Sequence, residues 1–172
     1  PSRPPARPPL VALSEWKPGF NTRLMDCQKT SCAWPDNVPR FGKRTPSCTA
    51  KNLPSMTPYK DAYFCWNQLP WVDDVDPDLS YGFVAASSSL ASCGTCFEFE
   101  FTGDAEFRAE DVGSQRLRGK RMIVQAIAIG NHDDSNRRFE LMVPGGGGGR
   151  SKKCRDQFET QSRQIDMGTA NG

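Results

Sequence analysis

Four stretches of the chain carry an ordered pattern of apolar and polar positions. Residues 97–101 read Phe-Glu-Phe-Glu-Phe, a strict alternation that predicts a strand with one buried face. Residues 121–129 (RMIVQAIAI) are almost continuously apolar, which predicts a central strand covered on both sides. Residues 139–143 alternate again, with Phe139, Leu141 and Val143 on one face and Glu140 and Met142 on the other. Leu79, Phe83, Ala86 and Leu90 recur at helical spacing and predict a helix over residues 77–90. Its start is also marked: Asp76 can cap, Pro77 suits the first helical position, and the nearby Asp73, Asp74 and Asp78 favour a helix N-terminus.

The remaining sequence is punctuated. Residues 1–9 hold five prolines and two arginines and predict a polyproline-II-like tail or linker. Residues 35–63 are rich in Pro, Asn, Thr and Lys and predict an irregular loop, which a bridge between Cys48 and Cys65 could close on itself. Residues 102–119 form a charged, glycine-punctuated connection, and the sequence after Cys154 is polar. Many short strands, few helices and several cysteines point to a closed, mostly antiparallel β-barrel.

Length and charge narrow the class. One domain is expected of 172 residues. A net charge of +2 gives no basic footprint for nucleic acid. No apolar run reaches the ~18 residues that span a bilayer. Hydrophobic content is only 37%, so covalent staples would help. The seven cysteines can supply them. Cys93-x-x-Cys96 is half of a zinc knuckle, but no second close Cys or His pair follows, and no thioredoxin-like βαβ context surrounds it. The acidic run at residues 73–78 lacks the glycine and the closing acid of a calcium loop. Neither metal nor cofactor is expected, and the scattered cysteines fit disulfides in a secreted protein. Their pairing does not follow from spacing, and an odd count leaves one without a partner.

Candidate chemistry gathers in residues 131–154. They hold the single histidine, the carboxylates Asp133, Asp134 and Glu140, and the glycine run 145–149. Glu140 points away from the apolar face of its strand, beside glycines that let backbone approach a ligand closely. Asp26 precedes Cys27, and a disulfide there would pin the backbone beside the carboxylate. Trp34, Trp66 and Trp71 are either sugar-stacking platforms or core residues.

These residues resemble glycoside hydrolase family 45 endoglucanases, whose six-stranded double-psi β-barrel is related to the expansins. The family signature, approximately T-R-Y-[FYW]-D-x5-C, reads here Thr22-Arg23-Leu24-Met25-Asp26, then five residues to Cys32. Residues 31–34, 81–86, 93–102 and 120–125 add collinear similarity. Residues 139–147 (FELMVPGGG) echo the family's F-D-L-N-I-P-G-G-G. The resemblance implies a mainly β fold with a few short helices and long disulfide-stapled loops. The barrel would occupy residues 21–160, between a Pro-rich tail over 1–20 and a polar tail over 161–172. It implies a secreted monomer that hydrolyses β-1,4-glucan with inversion. Asp26 takes the position of the general base and Glu140 that of the general acid. Asp133 takes that of an auxiliary carboxylate, and Thr22, Lys29, Trp34, Ala85, Gly145 and Gly146 take those of substrate contacts. The implied disulfides are Cys27–Cys154, Cys32–Cys93 and Cys48–Cys65, with Cys96 left over. This chain departs from the family in Leu24 and Met25, which replace aromatics, and in Glu140, which stands where Asp is usual. The alternatives are a non-hydrolytic, expansin-like polysaccharide-binding protein and an interaction domain without sugar affinity.

Overall fold

The computed structural model describes residues 16–24, 27–38, 44–55, 62–105, 110–130, 137–142 and 157. Six strands form one sheet: β1 (Phe20–Leu24), β2 (Trp71–Val72), β3 (Leu79–Ser87), β4 (Cys96–Glu100), β5 (Arg121–Gly130) and β6 (Arg138–Met142). One short helix, α1 (Val112–Leu117), and three 3-10 turns complete the described elements. The strand order is β1-β6-β3-β5-β4, with β2 paired to β3. The pairs β1–β6 and β3–β5 are parallel, whereas β6–β3, β5–β4 and β2–β3 are antiparallel.

The helix expected over residues 77–90 is not there. Residues 79–87 are β3, a strand paired along its whole length. Nine of its positions match β5 in parallel, and its other edge is shared by β2 near its start and β6 near its end. A helix over the same residues would forfeit all of these ladders. Short apolar runs satisfy both periods, and here the partners decide. Gly82 fits the strand: a Cβ there would lie 2.5 Å from Met122 Cε and 3.3 Å from Pro70 Cβ. The acidic residues that were to open the helix make a turn instead. Asp73 Oδ1 accepts from the backbone N–H groups of Val75 and Asp76, and Asp76 Oδ1 accepts from that of Asp78. Arg121 at the start of β5 pairs with Asp76 at 2.9 Å, and Lys120 with Asp78 at 3.1 Å.

The other three patterned stretches are strands, at β4, β5 and β6. Their inward positions build the core. Val84 and Ala86 of β3, Met122, Val124 and Ala126 of β5, and Phe139 and Leu141 of β6 are buried together. Phe97 and Phe99 of β4 close over Phe139, each with its ring centroid 4.9 Å away. Met142, expected on the outward face, is buried as well. The connection over residues 102–119 contains α1, capped by the Asp111 carboxylate on Ser114 N–H at 2.7 Å.

Between described residues, the disulfides Cys32–Cys93 and Cys48–Cys65 staple the loops. Cys27 is buried and disulfide-bonded, and Cys96 is a free, exposed thiol. The Cys154 end of the expected Cys27–Cys154 bridge lies outside the described residues.

Candidate functional site

Glu140 sits in the middle of a cross-strand row. On one side it pairs with Thr22 of β1, and on the other with Ala85 of β3. Laterally paired residues project to the same face of a sheet. The neighbours of Glu140 along β6, Phe139 and Leu141, enter the core, so this row occupies the opposite face. The side chain of Glu140 is 14% exposed, and that of Arg138, two positions earlier on the same face, is 48% exposed. Arg138 Nη2 lies 3.1 Å from Glu140 Oε1, and Arg138 Nε donates to Thr22 Oγ1 at 3.3 Å. Ala85 is buried and offers only a methyl group beside the carboxylate.

The Lys29–Trp34 pair reaches the same end of the sheet. Lys29 Nζ stands 4.2 Å from the Trp34 ring centroid, a cation–π contact. Burial lowers the Lys29 pKa, and the charge of Arg44 lowers it further. Between these two residues, the Ser31 hydroxyl accepts a hydrogen bond from Ile129 N–H of β5. Ile129 is the register partner of Ala86, one position from the row of Ala85 and Glu140.

A cavity of about 530 Å³ opens beside Cys32, Arg44, Phe83, Cys93, Gln125 and Ile127. Phe83 precedes Ala85 by two positions, so it shares the face that carries Glu140. A bulge in the β3–β5 ladder between Val84 and Ala85 lets Ile127 line this cavity out of register. Two further positions along the same face, Tyr81 stacks on Trp71 with ring centroids 5.5 Å apart and 20° between planes. Trp71 is half exposed and Trp34 is partly buried beneath Lys29, whereas Trp66 packs against the buried Cys27 and Phe64.

Of the residues expected at the site, Thr22, Ala85 and Glu140 are brought side by side, and Lys29 and Trp34 flank Ser31, whose hydroxyl ties that segment to β5. Asp26, Asp133, Gly145 and Gly146 lie outside the described residues. Next to Asp26, Cys27 holds a left-handed backbone with φ 56°, and its carbonyl accepts from Phe64 N–H at 3.3 Å. Among the described residues no group of three or more His, Cys, Asp or Glu is arranged for a metal. Sequence reasoning missed Arg138 and Tyr81. The period of two that put Glu140 on the outer face also puts Arg138 there, so that signal was present. Nothing local marked Tyr81, because its stretch read as helix.

The sequence model of Glycosyl hydrolase family 45 matches residues 18–167. Endoglucanase B of Cellvibrio japonicus (strain Ueda107) is 38% identical over 86% of this chain and 29% of its own length. An endoglucanase of Cryptopygus antarcticus is 32% identical over 84% of this chain and 62% of its own. The chain therefore spans less than two thirds of the length of these relatives. Among solved structures, the cellulase of the Antarctic springtail Cryptopygus antarcticus superposes with a TM-score of 0.63. That match has 31% identity and covers 80% of this chain and 64% of the springtail chain. The mainly β, curled six-stranded sheet with few short helices is thus the fold of that cellulase, the double-psi barrel anticipated above.

Proposed function

The chain belongs to glycosyl hydrolase family 45, and on that premise we propose that it is a secreted, monomeric endo-β-1,4-glucanase acting with inversion. The reading assigns Asp26 as general base, Glu140 as general acid and Asp133 as an auxiliary carboxylate. Thr22, Lys29, Trp34, Ala85, Gly145 and Gly146 bind the glucan. In a single displacement, a water oxygen forms a bond to the anomeric carbon while Asp26 takes the water's proton. The bond from that carbon to the glycosidic oxygen breaks, and the proton of Glu140 passes to the leaving oxygen. Inverting pairs stand ~6.5–9.5 Å apart to admit the water. This chemistry calls for no cofactor.

The observation that carries the reading is the row of Thr22, Glu140 and Ala85, in which a largely shielded carboxyl faces away from the core. Trp34 offers an aromatic surface for a pyranose face. The disulfides support an oxidising compartment and hence secretion.

Incubation with carboxymethyl-cellulose and cellohexaose, following reducing ends and anomeric configuration, tests the proposal. The protein is expected to release products of inverted configuration. Asp26→Asn and Glu140→Gln should each lower kcat by about 10²–10⁴-fold on these substrates. Binding of cellohexaose without product release would replace the enzyme by the expansin-like alternative.

A further inference from the structure

We propose that Arg138 is the positioning residue of Glu140, an inference that rests on the reading of Glu140 as general acid. The guanidinium is placed between two members of the cross-strand row. Through Nη2 it holds Oε1 of Glu140 at 3.1 Å, and through Nε it holds the Thr22 hydroxyl at 3.3 Å. Its planar fork has donors in fixed relation, so one side chain ties the carboxyl of β6 to the hydroxyl of β1. Residues 138 and 140 share a face by the period of the strand, so the clamp needs no backbone distortion.

The clamp has a chemical consequence. A glutamate reaches its carboxyl through two methylenes, and its terminal torsion is soft. With Oε1 engaged by Arg138, the carboxyl plane is fixed and Oε2 is the oxygen left to carry the acidic proton. That proton passes from Oε2 to the glycosidic oxygen as the bond to the anomeric carbon breaks. The carboxylate that remains then keeps the guanidinium as its partner. A displacement of about 1 Å at such a group costs on the order of a hundredfold in rate. Arg138 therefore acts on the chemical step through Glu140, and because Thr22 Oγ1 only accepts from it, the Thr22 hydroxyl proton stays free to donate to the glucan.

Two substitutions and two substrates separate this role from a structural one. Arg138→Met keeps the aliphatic stem and removes every donor. Arg138→Lys keeps the charge but offers one ammonium, which cannot serve both partners with the same geometry. On cellohexaose, R138M should lower kcat by about 10- to 100-fold with KM within about twofold. R138K should recover part of that loss. On a dinitrophenyl β-cello-oligosaccharide, whose leaving group departs without a proton, the R138M loss should shrink to less than about threefold. A substitution that merely loosened the fold would reduce both substrates alike, with a lower Tm. An active unmodified protein, with R138M equally impaired or equally unimpaired on the two substrates, overturns the inference and leaves the proposed function standing. An unmodified protein that hydrolyses neither substrate overturns the proposed function and this inference with it.

Discussion

Three hydrogen bonds converge on the Asp73 carboxylate, from Val75 N–H and Asp76 N–H at 2.9 Å and from the Tyr81 hydroxyl at 3.1 Å. All three favour the charged form. The Asp76 N–H contributes most, then that of Val75, then Tyr81, and together they hold the Asp73 pKa below the ordinary carboxylate value. A folded-state value below the unfolded one gives stability that is present above about pH 4 and lost as pH falls through the lowered value. The Tm advantage of the protein over Asp73→Asn, followed from pH 7 down to pH 2, should accordingly shrink below about pH 4. A constant difference across that range would mean that Asp73 acts by geometry alone. The same hydrogen bond raises the Tyr81 pKa, so its contribution runs the other way: it is complete at neutral pH and fades in strong alkali.

At the scale of elements, β3 decides how residues 79–87 must be read. Were they helical, Gly82→Ala would stabilise the protein by about 1 kcal/mol. In the strand, the new methyl meets Met122 and Pro70, and Met122 is itself buried in the core. The Met122 methyl can move, but only against packed neighbours. Gly82→Ala is expected to destabilise by about 1 kcal/mol, read as a lower urea midpoint at unchanged m-value. Phe139 tests the other side of the same sheet, because it is enclosed by Phe97 and Phe99. Phe139→Ala should cost about 3–5 kcal/mol. Since Phe139 sits beside Glu140 in the chain, milder truncations there should also disturb the row that holds the carboxyl.

The whole molecule is a small, polar chain that depends on cross-links. The Cys32–Cys93 bridge joins residues 61 apart, and Cys48–Cys65 joins residues 17 apart. In the chain-entropy model their loss costs roughly 4 and 3 kcal/mol respectively. Cys32→Ala/Cys93→Ala should therefore lower the denaturation midpoint more than Cys48→Ala/Cys65→Ala. The first pair also removes a wall of the cavity beside Phe83 and Gln125. Its effect should thus extend to ligand binding, whereas that of the second should be confined to stability. Equal losses from the two pairs would show that local packing outweighs loop length.

The sequence by itself determined what local chemistry dictates. Strict alternation fixed β4 and β6, and an unbroken apolar run fixed β5, because side-chain period and burial leave few other solutions there. Glu140 was legible for the same reason: a polar residue between Phe139 and Leu141 must face away from the core. The collinear motifs carried the family and its fold. Tertiary structure alone decided the rest. Residues 79–87 satisfy helical and extended patterns alike, and only the ladders to β2, β5 and β6 distinguish them. The neighbours of Glu140 come from residues 22 and 85, distant in the chain and joined by strand register, which no local signal encodes. Arg138 was one alternation step away and passed unnoticed, because an arginine on a strand reads as solvated until a carboxylate and a hydroxyl are found within reach of its fork.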